Sequence, residues 1–217
     1  MILHQIIPLF FHSLLEKVFT EINGQLEKKG RIVKKGTIVD ATLIEAAVKK
    51  PDQNDDGTAG RSKQDPEAEW VCKGKKRYFG YKVHVAVDAD SGIIRNALLT
   101  KAKKHEGHVL GDILPKEQEW VYADKAYESR ENTKMLKERK FKNGLMNKAS
   151  RRVKLEKVHH LRNRLISKTR KKIEKTFGTF KRWYGFVRMR YIGIKRNTTQ
   201  MFLISIGFNL KKSIVTT

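Results

Sequence analysis

The sequence has little cysteine, few acids and no long apolar run. A single cysteine, Cys72, excludes an internal disulfide and leaves no thiolate set for a structural zinc site. A reducing compartment, the cytoplasm, is the expectation. The longest apolar stretches are MILHQIIPLFFHSLLEK at the start and MFLISIGFNL at 201–210. The first lacks a basic leader and a small-residue cleavage site, and the second falls short of the roughly 20 residues that cross a bilayer. A secreted or membrane-spanning protein is not expected. Only 23 Asp+Glu stand against 47 Lys+Arg, a net charge of +24 in 217 residues. Such a chain repels itself unless an anion screens it, and nucleic acid is the leading partner.

With 39% hydrophobic residues the chain can bury a core. Residues 13–29 space Leu15, Val18, Phe19, Ile22 and Leu26 by three and four, which predicts an amphipathic helix. From 31 the run RIVKKGTIVD reads as extended, with a more helical ATLIEAAVKK after Asp40. Residues 51–77 are polar and rich in turn formers, and are expected as a mobile surface loop. RYFGYKVHVAVD alternates apolar and polar residues and, with the turn DADSG and IIRNALLT, predicts a hairpin. KHEGHVLGDILPK predicts a short helix ending near Pro115. EWVYADKAY is a buried strand ending at Asp124, SRENTKMLKERK a helix capped by Ser129, and FKNGLMNK a short strand or loop. From 151 onward the pattern is helical. This order predicts a mixed α/β fold.

The charge is uneven. Residues 151–217 hold 19 Lys+Arg against two acids, Glu156 and Glu174, or +17 of the +24. Arg170, Glu174 and Lys181 fall within roughly 40° of one another on a helix, beside an apolar stripe of Ile166, Ile173, Phe177, Phe180 and Tyr184. Spacing alone allows Glu174 an ordinary ion pair with Arg170 or a place among metal ligands. Asp40 and Asp124 each follow an apolar β-type run, TIVD and WVYAD. Acids at the carboxyl ends of neighbouring strands would converge and call for a hard cation. A basic surface around an acidic centre is the layout of a nuclease.

Three stretches resemble a known family: GTIVDATLIEA with Asp40, YFGYKVHVAVDADSG followed by VYADKAYES with Asp124, and RKKIEKTFGTFKRWYG with Glu174. The chain is similar to the DDE transposases of bacterial insertion sequences, in the insertion sequence five group. Arg170, Glu174 and Lys181 match the family's third-acid signature, with Ser167 where a tyrosine is usual. The resemblance implies a ribonuclease-H-like mixed sheet flanked by helices, with Asp40, Asp124 and Glu174 as catalytic residues and metal ligands. It implies Mg²⁺, replaceable by Mn²⁺, as two ions, and double-stranded DNA as partner, faced by Arg170 and Lys181; the interleaving of aromatic and basic residues at 180–188 adds Arg182 and Trp183 as expected DNA contacts. A homodimer on DNA is expected of an active relative, and the reaction expected is strand cleavage and strand transfer. Alternatives are a stand-alone nuclease of the same fold and a catalytically silent DNA-binding remnant. Family members carry a longer region before the first aspartate than the 39 residues here. The division expected is therefore a helical remnant at 1–30 in a truncated copy, a catalytic domain at 31–195 and a C-terminal helix at 196–217 packed on it.

Overall fold

The computed structural model describes residues 3–52, 60–149 and 154–215. A six-stranded mixed sheet carries helices on both faces, the ribonuclease-H-like α/β arrangement expected. Helix α1 (Leu3–Lys28) leads into β1 (Gly36–Glu45), β2 (Glu69–Lys73), β3 (Lys76–Asp88) and β4 (Ile94–Lys101). A 3-10 turn at Glu106–Val109 and α2 (Leu110–Ile113) lead to β5 (Trp120–Ala123), a 3-10 turn at Lys125–Tyr127 and α3 (Arg130–Glu138). Then come β6 (Lys142–Leu145), α4 (Lys157–Trp183) and α5 (Ile194–Val215). The strands run β2-β3-β1-β5-β6, with β4 also paired to β3. Within the sheet β1 is antiparallel to β3, while β5 is parallel to both β1 and β6. No helix among the described residues is long and apolar enough to cross a membrane.

Three elements differ from the sequence expectation. ATLIE does not turn helical after Asp40; β1 continues to Glu45, pairing Ala41 with His84 and Glu45 with Gly80. Its Thr, Leu and Ile alternate in a way that serves a strand between two partners better than a helix face. Asp40 therefore lies in the middle of its strand, and only Asp124 stands at a carboxyl end. In the expected loop, 53–59 lie outside the described residues, but 69–73 form β2 against the start of β3. The stretch before it is anchored: Tyr81 Oη donates to Asp65 Oδ1 at 2.5 Å, and the Ile194 N–H donates to Glu67 Oε2 at 2.9 Å. Helix α1 also begins well before residue 13.

Alternation along β1 divides the core. Ile38 and Ile44 face one layer, with Val83, Val85 and Val87 of β3, Ile173 and Phe180 of α4, and Phe202 and Phe208 of α5. Val39 and Ala86 face the other, with Leu110, Ile113, Tyr127 and Leu136. On that second side His105 Nδ1 accepts from the Gly107 N–H and Ser129 Oγ from the Asn132 N–H, satisfying helix-start donors. On the first side Asn209 of α5 accepts from the Ile94 N–H at 2.8 Å and donates to Ile94 O and to Asn23 Oδ1 of α1. It ties the two terminal helices to the same sheet edge.

Candidate active site

The parallel pair β1–β5 sets Gly36 opposite Trp120, Thr37 opposite Val121 and Ile38 opposite Tyr122. Residues two apart on a strand share a face, so the next pair on that face is Asp40 and Asp124. The face is the one covered by α4. Arg170 of α4 lies between them: its Nη2 donates to Asp40 Oδ2 at 3.2 Å, and its Nη1 stands 3.8 Å from Asp124 Oδ1. Helix α4 is held in that register from both directions. Upstream, Arg162 donates to Leu145 O at 2.7 Å and Asn143 O at 2.7 Å of β6, and downstream Lys172 Nζ donates to Ala89 O at 2.7 Å, just past β3.

The two carboxylates are not equivalent. Asp40 is mostly enclosed, with 24% of its side chain exposed against 46% for Asp124. Burial raises the Asp40 carboxyl above its ordinary range, opposed first by the Arg170 charge and then by the Ala41 N–H that donates to Asp40 Oδ1 at 2.9 Å. Glu106 and Asp124 push it the same way as burial. Asp124 accepts the Lys125 N–H at 2.5 Å, starting the 3-10 turn that carries Tyr127. That tyrosine is fully buried, and its phenol is held well above the ordinary value, first by burial and then by Glu106 and Asp40. Its hydroxyl and Arg170 Nε are buried without a hydrogen-bond partner among the described residues.

This donor set suits a hard divalent cation. The two carboxylates face one another and offer hard oxygen donors, with the Arg170 guanidinium as their counter-charge. The third expected acid lies elsewhere. Glu174 is exposed and lines an open cavity of about 560 Å³ with Lys171 and Arg182. One turn beyond Arg170, it is displaced by about 6 Å along α4 and about 40° around it. Among the described residues no group of three or more His, Cys, Asp or Glu could hold a metal ion. The structure thus brings Asp40 and Asp124 together and leaves Glu174 apart from them.

Of the DNA-contact candidates, Arg170 points inward with 15% exposure, whereas Lys181, Arg182 and Trp183 are exposed, Trp183 at 70%. Ser167, on the turn before Arg170, is half-buried. Sequence reasoning missed the bridging position of Arg170 and the proximity of Tyr127 and Glu106 to Asp40. Tyr127 had a visible signal, an aromatic three residues after Asp124 in a stretch that otherwise turns polar. Glu106, which also pairs with Lys82 at 3.4 Å, had a signal in the His105–Glu106 pair that resembles a family position usually holding His and Asp.

Residues 32–210 match the family described as the transposase DDE domain. The chain belongs to that family. The matched span contains Asp40, Asp124 and Glu174 together with every strand of the sheet. The transposase for insertion sequence element IS1106 of Neisseria meningitidis serogroup B is 36% identical to this transposase over 211 residues, 92% of this chain and 73% of that protein.

Proposed function

We propose that this transposase cuts DNA strands at the ends of an insertion sequence and joins the freed 3′-hydroxyl ends to target DNA in a metal-dependent reaction. The observation that carries the reading is the pair of carboxylates, Asp40 and Asp124, aligned on adjacent parallel strands and bridged by one cationic group. Asp40 and Asp124 supply the oxygen donors for the cation. Glu174 is proposed as the third carboxylate on the strength of its spacing from Arg170 and Lys181. Mg²⁺, with Mn²⁺ as substitute and two ions in all, would there activate a water or a 3′-hydroxyl and stabilise the leaving oxygen. Arg170 keeps the two carboxylates facing one another and offsets their repulsion. Lys181 and Arg182, exposed further along α4, receive the backbone of the DNA, and Trp183 beside them offers its ring to a base. Two copies of the chain are needed where two element ends are held together.

The test is a cleavage and strand-transfer assay with an intact and a pre-cleaved end, plasmid target and Mg²⁺ or Mn²⁺, comparing the wild type with Asp40→Asn, Asp124→Ala and Glu174→Ala. Each variant is expected to lose roughly 100-fold or more. Cleavage without joining would identify a stand-alone nuclease. Salt-sensitive DNA binding without either reaction would identify a silent binding remnant, and equal activity in all four proteins would overturn the carboxylate reading.

A further inference from the structure

A second cavity, of about 510 Å³, lies on the α4–α5 side of the sheet, walled by the β3–β4 turn, the second half of α4 and the end of α5. Four lysines line it, Lys172, Lys175, Lys211 and Lys212, against one acid, Asp90. No carboxylate among the described residues pairs with Lys172, Lys175 or Lys211. One wall is aromatic: Trp183, Tyr184 and Phe208 all border the space, and the Lys211 ammonium sits 4.7 Å from the Trp183 ring centroid. Ser91 and Thr179 also border the space, their hydroxyls donating to Asp88 Oδ1 and Lys175 O.

We infer that this cavity holds a segment of single-stranded DNA, its phosphates among the lysines and a base against the Trp183 ring; the inference rests on the DNA-transacting function proposed above. Lysines alone would suit any polyanion. Lysines interleaved with an exposed aromatic ring match an unpaired strand, whose bases offer free faces for stacking, whereas a duplex hides those faces and an acidic peptide has none. The cavity is continuous with the Glu174 side of α4, because Lys175, Thr179 and Trp183 also line the cavity that contains Glu174. From Glu174 to Trp183 is nine residues, about 13 Å along the helix, which spans about four nucleotides at duplex rise. A strand end leaving the carboxylates along α4 would reach the aromatic wall within that length.

The test measures binding by anisotropy of fluorescein-labelled 12-mers, single-stranded and duplex, in EDTA over a salt series. The proteins are the wild type, Trp183→Ala, Trp183→Phe, Lys175→Ala/Lys211→Ala and Asp40→Asn. Trp183→Ala is expected to weaken single-strand binding about tenfold while changing duplex binding less than twofold, and Trp183→Phe to restore most of the loss. The double lysine variant is expected to reduce the slope of log K against log salt by about 1.4 for the single strand, 0.7 for each lost contact. Equal losses for both DNAs, or no loss with Trp183→Ala, would overturn the inference. So would displacement of the single strand by polyglutamate that is unaffected by Trp183→Ala, which would mark an acidic-protein site. Binding in EDTA separates the two readings: its dependence on Trp183 is read without metal or chemistry, whereas the joining activity of Asp40→Asn bears on the carboxylates alone.

Discussion

Arg170 decides how the two aspartates behave. Its charge is the main opposition to the burial that would protonate Asp40, so Arg170→Ala leaves two carboxylates facing one another without relief. The expected cost is about 2 kcal/mol, a fall of roughly 4 to 8 °C in Tm for a chain of this size, measured in EDTA. Added Mn²⁺ is expected to raise the Tm of that variant more than that of the wild type, because the cation then has no guanidinium to displace. A second residue sets the acid response. His84 is buried, holds Thr100 Oγ1 at 3.0 Å, and is lowered from its ordinary 6.5 to about 3, first by burial and then by Lys82. The unfolded chain therefore binds a proton that the folded chain refuses. The stability due to neutral His84 is complete above pH 6.5 and is lost as the pH falls toward 3. Urea titrations of the wild type and His84→Gln between pH 7 and 4 are expected to converge as the pH drops, by a few kcal/mol across the window.

Among the elements, the central strands carry the site, and their spacing is sensitive to single atoms. A Cβ on Gly80 would stand 2.1 Å from Ile44 O and 2.7 Å from Ala46 N, both backbone atoms that cannot swing aside. Gly80→Ala must spread β1 from β3 or bend β3 and is expected to cost about 1–3 kcal/mol in urea unfolding. Since β1 also carries Asp40, strand transfer should fall with it. The elements also show what could be read from the residues alone. The hairpin β3–β4 was legible because valines alternate over a full strand length and Asp88 makes the turn, accepting from the Asp90 and Ser91 N–H groups. The buried face of α4 was legible for the same reason of period: Ile166, Ile173 and Phe180 are buried and Trp183 is outside. Strand β1 past Asp40 was not, since ATLIEAAVKK satisfies both a helical and an extended pattern and only pairing with β3 decides between them. Strand β2 was hidden for a similar reason. EWVCK is short, half-exposed and set in polar sequence, and it exists because β3 offers it an edge. The side on which Arg170 and Glu174 fall depends on how α4 crosses the sheet, which Arg162 and Lys172 fix through backbone carbonyls far away in sequence.

At the scale of the whole molecule the excess charge has a direction. Asp40 and Asp124 are gathered at β1 and β5, while the exposed cations Lys171, Lys175, Lys181 and Arg182 follow α4 past them. Binding to duplex DNA should be dominated by counterion release, with log K falling linearly in log salt by about 0.9 per phosphate contacted. Lys181→Ala/Arg182→Ala is expected to lower that slope by about 1.8 without altering the Tm, as read from anisotropy at several salt concentrations. The closure of the molecule through Asn209 has a consequence of another kind. Asn209 and Asn23 are 186 residues apart, yet they are hydrogen-bonded at 2.8 Å, and Phe19 of α1 packs its ring on Phe202 of α5. On a ribosome adding about 5–20 residues per second, α1 emerges roughly 10 to 40 s before its partner. Throughout that interval α1 lacks the Phe202 ring and the Asn209 amide, and it rests on Ile93 and on the bonds of Asn23 to Ile94 O and Arg95 O until α5 arrives.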